Sequence, residues 1–437
     1  MAHTPETRST FDGLLKTVYG PIVRQLTPTQ SVLLNFLKTK SGTKSFSGKS
    51  VNLGVLYNSQ GSAMSVDETD ALPVSLPTNH DLTTIPLSYH YFAANVTGQA
   101  IAVSDDRVGA LAEAWATIIK VRQRAFAQDI NRKLCGDGNA ILCQQDGSVS
   151  GQTITVDNAM GISGQNDSDV NGAKFLSKNM YVQVRDSSGT AEDAGLLITS
   201  ISTAPAWPST SAVITVSGTC SSCADGSYLY KAASATASND AYGHEMNGID
   251  VLIDDAAGST TSIQSIDCAT NGEWGSQVVR GTTPGTAEGL TTNRLMQLYN
   301  AISINARGKT DLCVTSPAVW LEYGSMADAN NQVMNQATYD TGWPALDWMG
   351  KPVYQEPYAL DKWYSIDTDV LAMYETGPAD FMSDDKGAVI TQRKGASAAY
   401  DDYEAYYNWY MLLAIEERAK CGKLVDITVN NNFLLQT

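Results

Sequence analysis

The residue pattern in this sequence most suited to chemistry is a pair of cysteines with two residues between them, Cys220 and Cys223. A Cys-x-x-Cys pair can bind zinc, but a tetrahedral site needs two more ligands, and the sequence has no second pair of this spacing. The chain has seven Cys in all, an odd number at irregular spacing, and mostly reduced thiols are expected. Free thiols and a local disulfide are the two interpretations that remain for Cys220 and Cys223.

Three further segments approach known motifs without completing them. In Gly42–Ser50, five residues separate the first Gly from Gly-Lys-Ser, where a phosphate-binding loop has four, and a strand pattern follows instead of a helix. The pair His244-Glu245 begins a zinc-protease motif, but Gly248 stands where the second His belongs. The segment Gly136–Ile141 lacks the third Gly of a dinucleotide-binding loop. We therefore expect no catalytic residue, no metal site and no cofactor.

Charge is distributed unevenly along the 437 residues. Residues 1–49 contain seven Lys or Arg against two acids, a net charge of +5, whereas the rest of the chain carries −22. This basic segment can contact a polyanion or pack on acidic neighbours, and both interpretations stay open. The cations considered for contact with DNA or with a lattice of subunits are Lys16, Arg24, Lys38 and Lys40.

The longest predicted element is a helix over residues 104–138. Apolar residues recur from Val108 to Leu134 at steps of three and four, which is the period of one helix face. Ser104 is a suitable N-cap, and Gly136 suits the left-handed stop position. No second helix pattern of this length exists to pair with it, so we expect a strut against which other elements pack.

A long two-stranded excursion precedes this helix. Val51 to Tyr57 and Ile85 to Tyr91 alternate in the period of strands, and a polar segment joins them. Such a hairpin is marginally stable on its own in water. It must therefore lie on other structure, and a neighbouring subunit would serve.

The remainder of the chain contains two regions with different secondary-structure patterns. Short alternating strands fill residues 151–235 and are separated by Gly, Ser, Asn and Asp, which predicts a small β-barrel or sandwich. Helices and strands are then mixed over 236–394, with a helix over 290–307, a buried strand over 311–315 and a helix beginning at Pro317. A last strand pattern over 405–415 is apolar at nearly every position, so we expect both faces to be covered.

The order of these elements, together with several local sequences, resembles the major capsid proteins of tailed bacteriophages, which have the Hong Kong 97-like fold. The resemblance covers nearly the whole chain, with 151–235 as an additional domain. The segments that carry it are LLKTVYGPIVRQL, DETDALP, QDINRKLCGDGNAIL, GEWGSQVV, LTTNRLMQLYNAI and DYEAYYNWYMLLAIEERAKCGKLVDITV. It implies an α+β fold divided into an N-arm (1–44), an extended hairpin or E-loop (45–100), a P-domain with a spine helix (101–150), the inserted β-domain (151–235), an A-domain (236–394) and C-terminal strands that return to the P-domain (395–437).

The function that this resemblance implies is structural. Many copies, as hexamers and pentamers, would close an icosahedral shell around double-stranded DNA, without sequence readout and without a membrane. A portal would be a further partner, with scaffold or cement proteins as optional ones, in a virion capsid assembled in the host cytoplasm. No apolar run has the length of a membrane span and the N-terminus has no signal-peptide core, so we expect synthesis in the cytosol.

The resemblance also directs attention to the tip of the hairpin. We expect subunit contacts from Met64, Asp67, Glu68 and Asp70. Some members of the family join subunits through an isopeptide bond from a hairpin Lys to an Asn of a neighbour. The segment between Tyr57 and Tyr91 contains no Lys, so we expect non-covalent shells.

Two other classes of protein remain as alternatives. An encapsulin nanocompartment shell shares the implied fold, and DNA-filled particles would distinguish a phage capsid from it. A β-rich hydrolase or carbohydrate-binding protein is the other alternative, because Asp401, Asp402 and Glu404 could form a carboxylate site. Charge clusters are usually solvated faces, so we expect a structural protein and not an enzyme. Failure to assemble beyond a small oligomer would favour the enzyme.

Overall fold

The structure is a computed structural model. The part of the chain that it describes contains few α-helices. It describes residues 32–37, 43–56, 64–68, 70–74, 80–99, 108–161, 172–193, 195–203, 212–236, 240–255, 262–283, 285–329, 337–338, 344–383, 391–394 and 399–429. The helices within these ranges are α1 (Val32–Phe36), α2 (Val108–Cys135), α3 (Ile249–Leu252), α4 (Thr292–Ala306) and α5 (Pro317–Ala329). Single turns of 3-10 helix occur at Ala159–Gly161, Gly272–Trp274 and Arg418–Lys420.

Strands make up most of the regular structure. In chain order they are β1 (Thr43–Ser45), β2 (Ser50–Leu56), β3 (His80–Pro86), β4 (Ser88–Thr97), β5 (Ile141–Gln145), β6 (Val149–Asp157), β7 (Tyr181–Arg185), β8 (Leu196–Thr203), β9 (Ala212–Cys223), β10 (Tyr228–Ala232), β11 (Ser262–Ile263), β12 (Ile266–Asp267), β13 (Gln277–Val279), β14 (Glu288–Gly289), β15 (Leu312–Thr315), β16 (Ala337–Thr338), β17 (Pro344–Trp348), β18 (Lys351–Gln355), β19 (Trp363–Ile366), β20 (Leu371–Glu375), β21 (Asp380–Phe381), β22 (Thr391–Lys394), β23 (Ala399–Ile415), β24 (Gly422–Leu424) and β25 (Ile427–Thr428).

The longest strand, β23, organises a six-stranded sheet. Its first part pairs antiparallel with β4 and its last part with β20, and β1 continues the sheet beside β20 in parallel. The short strands β21 and β22 also pair with β23. Residues 411–415 are all buried, which confirms the predicted coverage of both faces at this end of the strand. The prediction for 405–415 is wrong at Tyr406, which is 41% exposed.

Helix α2 packs against this sheet in the main core. Phe126, Ile130 and Leu134 recur at steps of four on the last turns of the helix and are buried with Trp409 and Leu413 of β23. The C-terminal part of the apolar stripe that predicted the helix, from Phe126 to Leu134, is thus the part shown to pack. The predicted cap Ser104 lies outside the described residues.

The left-handed residue that follows α2 is not the predicted one. The left-handed conformation falls on Gly138, with φ of 78°, and not on Gly136. The reason is a close approach two residues later than expected. A Cβ on Gly138 would lie 2.5 Å from Oδ1 of Asn247, so the turn passes against this neighbouring loop where only glycine fits.

The turn after α2 leads directly into a closed barrel of six strands, in the order β10-β5-β6-β9-β8-β7. The barrel therefore starts at β5, before the predicted boundary at residue 151. Its interior is apolar, as the alternating pattern required, and includes Val182, Val184, Ile198, Ile214 and Leu229.

A seven-stranded sheet follows the barrel, in the order β13-β24-β19-β15-β18-β17-β16. Strand β15 is central and pairs with β18 in parallel and with β19 antiparallel. Leu298 of α4 and Val319 of α5 share one apolar cluster with Trp363 of β19. Both predicted helices and the predicted buried strand are confirmed here. No helix in the described part of the chain is both long and apolar enough to cross a membrane.

Candidate assembly surfaces

Strands β2 and β3 form a hairpin, defined here as residues 50–86, whose base lies on the chain's own sheet. The strands pair antiparallel along their full length, and Val51 lies directly opposite Ile85. Both residues are buried with Tyr374 of β20 and Leu412 of β23. The base of the hairpin is therefore stabilised within one subunit and does not require a neighbour.

Polar contacts also hold the base of the hairpin. Ser265 Oγ donates a hydrogen bond to the carbonyl of Thr84 at 2.9 Å, and Asn271 Nδ2 donates to Asp81 Oδ2 at 3.3 Å. The strand alternation continues past Pro86, but β4 pairs with β23 and not with β2. The two-stranded part is therefore shorter than the excursion of 45–100 that the sequence suggested.

An ion pair fixes the chain just before the hairpin. Lys44 of β1 pairs with Glu416, and the hydroxyl of Tyr374 donates to Glu416 Oε1 at 2.8 Å. The hydrogen bond with Glu416 is the main reason why the pKa of Lys44 is raised. Lys44 and Ser45 form part of a parallel strand beside β20, so Gly42–Ser50 leads into the hairpin and not into a helix.

The rest of the hairpin exposes large apolar side chains. Leu72 is 80% exposed and Val74 is 79% exposed, and Leu56, Met64 and Leu82 are all at least 60% exposed. Isolated exposed apolar residues are common, but such a concentration on one element is typical of an interaction surface.

The acidic residues predicted at the tip share one exposed turn. The amide of Asp70 donates to the carbonyl of Asp67 at 3.1 Å, and the amide of Glu68 donates to Asp67 Oδ1 at 2.8 Å. Together with Met64, these residues are exposed in the isolated chain. Their contact with another subunit stays a prediction.

A second exposed surface, which the sequence interpretation missed, consists of tyrosines on one face of the β4–β23 pair. The rings of Tyr89 and Tyr91 lie 5.1 and 5.8 Å from that of Tyr410, both edge to face. Tyr91 donates to the hydroxyl of Tyr410 at 3.2 Å, and burial together with this hydrogen bond raises the pKa of Tyr91 to about 12. The signal was available, because the tyrosines of both strands recur with period two or four.

The carboxylates considered for an enzymatic site do not converge. Side chains alternate along β23, so Asp401 points to the opposite face from Asp402 and Glu404. Asp402 is buried, whereas Asp401 is exposed. Glu404 accepts a hydrogen bond from the hydroxyl of Tyr406 at 3.0 Å. The three carboxylates therefore do not share one face of the strand.

Other residues that the sequence analysis considered form a disulfide or an ion pair in the structure. Cys220 and Cys223 form a disulfide on β9. Glu245, from the incomplete zinc-protease motif, forms a buried ion pair with Arg132 at the end of α2. The arm cations Lys16, Arg24, Lys38 and Lys40 lie outside the described residues.

The start of the described chain is held firmly in the main core. Leu33 and Leu37 of the α1 segment are fully buried beside α2. The amide of Leu33 donates to the buried carboxylate of Glu356 at 3.4 Å, and Asn131 Nδ2 donates to the same carboxylate at 2.7 Å. The basic segment is thus anchored to the body immediately after its first 31 residues.

The fold can be compared with solved structures. The chain is similar to a protein of the cyanophage A-1(L) capsid asymmetric unit, with a TM-score of 0.53 and 13% identity, over 94% of this chain and 98% of that one. Weaker similarities are to the capsid of an empty GTA particle (TM-score 0.45, 13% identity, 92% and 98% covered) and to the holo-SrpI encapsulin complex of Synechococcus elongatus PCC 7942 (0.43, 9%, 98% and 98%). Neither a protein-family model nor a curated protein matches the sequence. The chain has the phage capsid fold, and the resemblance found in the sequence is confirmed at this level.

Proposed function

We propose that this chain is the major capsid protein of a bacteriophage, a structural protein whose copies close an icosahedral shell around double-stranded DNA. The observation that carries this proposal is the concentration of exposed apolar side chains on the hairpin, above all Leu72 and Val74. The similarity to the cyanophage capsid fold supports it.

The energetics favour self-association through this hairpin. Burying a Leu or Val side chain that is exposed in the isolated subunit contributes roughly 1.5–3 kcal/mol. The base of the hairpin is already packed on its own subunit, so strands β2 and β3 do not have to be ordered by the contact. An element of one subunit that contacts a different surface of the next gives a heterologous interface, which closes into rings when the rotation permits. Rings of five and six such subunits are the units of an icosahedral shell.

Each part of the chain then has a role in the shell. The hairpin acts as the E-loop and α2 as the spine helix of a P-domain that β23 rejoins. The seven-stranded region acts as the A-domain around the five- and six-fold axes, and the barrel is an insertion. The basic segment contacts either packaged DNA or neighbouring subunits, and a portal and optional scaffold or cement proteins complete the particle.

A matched pair of variants tests the assembly role. Leu72→Ser with Val74→Ser removes the exposed apolar groups of the hairpin, and Met349→Ser with Met382→Ser removes two exposed methionines elsewhere. Negative-stain microscopy and sedimentation should show closed shells for the wild type and the methionine control. The hairpin variant should give capsomers or single subunits with an unchanged circular dichroism spectrum.

Normal shells from the hairpin variant would contradict the proposal, as would a wild-type chain that forms no assembly beyond a small oligomer. The content of the particles separates the two kinds of shell. Double-stranded DNA protected from nuclease in particles from infected cells supports a phage capsid, whereas shells without DNA support a nanocompartment.

A further inference from the structure

We propose that the barrel contains a zinc site, formed when the Cys220–Cys223 disulfide is reduced, with the two thiolates and the carboxylate of Asp193 as ligands. The site lies at one end of the barrel, where β9 ends and the connection between β7 and β8 passes over it. It is independent of the surfaces that the assembly proposal uses.

The strand geometry explains why both sulfurs point to the same place. Residues three apart in a regular strand face opposite sides, so Cys220 and Cys223 would ordinarily diverge. In the barrel, Cys223 pairs with Val149 and Cys220 with Gly151, so three steps along β9 match two along β6. This is a bulge, and it turns both cysteines into the apolar interior, where they are 0% and 2% exposed.

The third donor is already at a distance suited to a metal. Oδ2 of Asp193 lies 3.8 Å from Sγ of Cys223, and one ligand atom from each of Asp193, Cys220 and Cys223 lies within 4.8 Å of the others. Tetrahedral zinc with Zn–S near 2.3 Å and Zn–O near 2.0–2.2 Å separates its ligand atoms by roughly 3.3–3.8 Å. The Cys223–Asp193 distance fits this geometry, and the two sulfurs must move apart once their bond is reduced.

The acidic residues beside the cysteine pair favour the binding of a cation there. Glu192, next to Asp193, accepts hydrogen bonds from the amide of Ala224 at 3.3 Å through both carboxylate oxygens. Two carboxylates therefore lie beside the cysteine pair. Zinc would offset this concentration of acidic groups, and Glu192 or a water molecule would complete the tetrahedron.

Reduction of the disulfide requires only an ordinary reductant. A dithiol such as dithiothreitol supplies two electrons and two protons, which convert the disulfide to two thiols while the dithiol is oxidised. Each thiol then releases its proton to solvent as its sulfur binds zinc. Disulfides do not persist in a reducing compartment, so there the metal would replace the Cys220–Cys223 bond and would in addition join the end of β9 to Asp193 of the β7–β8 connection.

Metal analysis of the full-length chain tests this proposal. The protein is reduced, incubated with zinc chloride, separated from unbound metal and analysed for zinc, and the titration is repeated with Co²⁺. We expect one zinc per reduced chain, none in the disulfide form, and a thiolate-to-Co²⁺ charge-transfer band. Cys220→Ser with Cys223→Ser should abolish binding, and Asp193→Asn should weaken it at least about tenfold.

The controls are matched to these variants. Asp225→Asn keeps an oxygen for the amide of Gly147, and Cys143→Ala removes a buried barrel thiol outside the proposed site, so both should bind zinc as the wild type does. Circular dichroism verifies that each variant is folded. Absence of zinc from the reduced wild type, retention by the double cysteine variant, or no effect of Asp193→Asn would each overturn the site. None of these results bears on shell assembly.

Discussion

The Nζ atom of Lys362 lies 2.8 Å from Oδ1 of Asp250, and both side chains are buried. The same carboxylate oxygen accepts a hydrogen bond from the hydroxyl of Tyr364 at 2.9 Å and lies 3.3 Å from Nζ of Lys423. Burial alone would raise the pKa of Asp250, but the two lysines outweigh it and hold this pKa well below its usual range. Asp250 therefore joins helix α3 to β19 and β24 of the seven-stranded sheet.

Asp250→Asn should destabilise the chain by about 3–5 kcal/mol, because it leaves the buried ammonium of Lys362 without its carboxylate and leaves Lys423 with only that of Asp254 at 3.5 Å. Urea unfolding of the unassembled chain at pH 7 measures the loss. The depressed pKa makes the contribution of Asp250 fully present above its unfolded pKa of 3.8, and acid removes it only below that value. Asp369→Asn is the control, because Asp369 is 71% exposed beside Lys309, and equal urea midpoints for both variants would contradict this account.

His90 of β4 provides a second buried titratable group, which reduces stability already at mild acidity. Its Nδ1 atom lies 3.4 Å from Nζ of Lys133 on α2, and its Nε2 atom is buried without a hydrogen-bond partner among the described residues. Burial, followed by the charge of Lys133, lowers the pKa of His90 from 6.5 to about 3. The imidazole is therefore neutral in the folded chain at neutral and mildly acidic pH.

Stability should consequently fall as the pH falls from 6.5 towards 3. In this window the unfolded chain binds a proton at His90 and the folded chain does not, so the free energy of unfolding rises with pH. His90→Gln should reduce this slope by up to about 1.4 kcal/mol per pH unit, measured by urea unfolding between pH 6.5 and 5. The exposed His244→Gln is the control, and a slope that is unchanged in His90→Gln would show that burial does not govern His90.

Local periodicity made much of this fold predictable, whereas long-range pairing did not. The stripe ending at Leu134 predicted α2, and the β-barrel was one of the two architectures predicted for the strands of 151–235. The change of partner after Pro86 leaves no trace in the alternating pattern, which continues into β4. The pairing of Asp250 with Lys362, 112 residues apart, depends on the packing of α3 against the sheet.

The same distinction applies to the candidate surfaces. The tip residues Met64 and Asp67 could be selected because the family resemblance identified the polar segment between two strands as the tip of an E-loop. The bulge that brings Cys220 and Cys223 together depends on the register with β6, which the spacing of two cysteines cannot show. The alternation of tyrosines along β4 and along β23 can be read from the sequence. Only the pairing of β4 with β23 brings these tyrosines together on one surface.

Charge on the basic segment gives a prediction about assembly. Because residues 1–49 carry +5 and the remainder −22, replacing four arm cations with Gln should impair shell formation or DNA retention more than four equivalent changes in the body. Particle yield and nuclease-protected DNA measure the effect at low and high salt, since exposed charge contacts weaken with ionic strength. The arm variant changes Lys16, Arg24, Lys38 and Lys40, and the control changes Lys178, Lys231, Lys309 and Lys420. Equal losses would show that the asymmetry is incidental.

The shell should be held together without covalent bonds between subunits. An isopeptide bond needs a Lys amine made nucleophilic by desolvation and a carboxylate to take its proton. The segment between Tyr57 and Tyr91 has no Lys, and the exposed Lys49 lies just before the hairpin, far along the strands from the tip. The tip instead presents the exposed residues Asp67, Glu68 and Asp70, whose contacts should be polar and reversible. Boiling mature particles in detergent and reductant should therefore release one band at the chain mass of 46.8 kDa. A ladder of multimers that survives this treatment, with a Lys–Asn peptide identified by mass spectrometry, would refute the prediction.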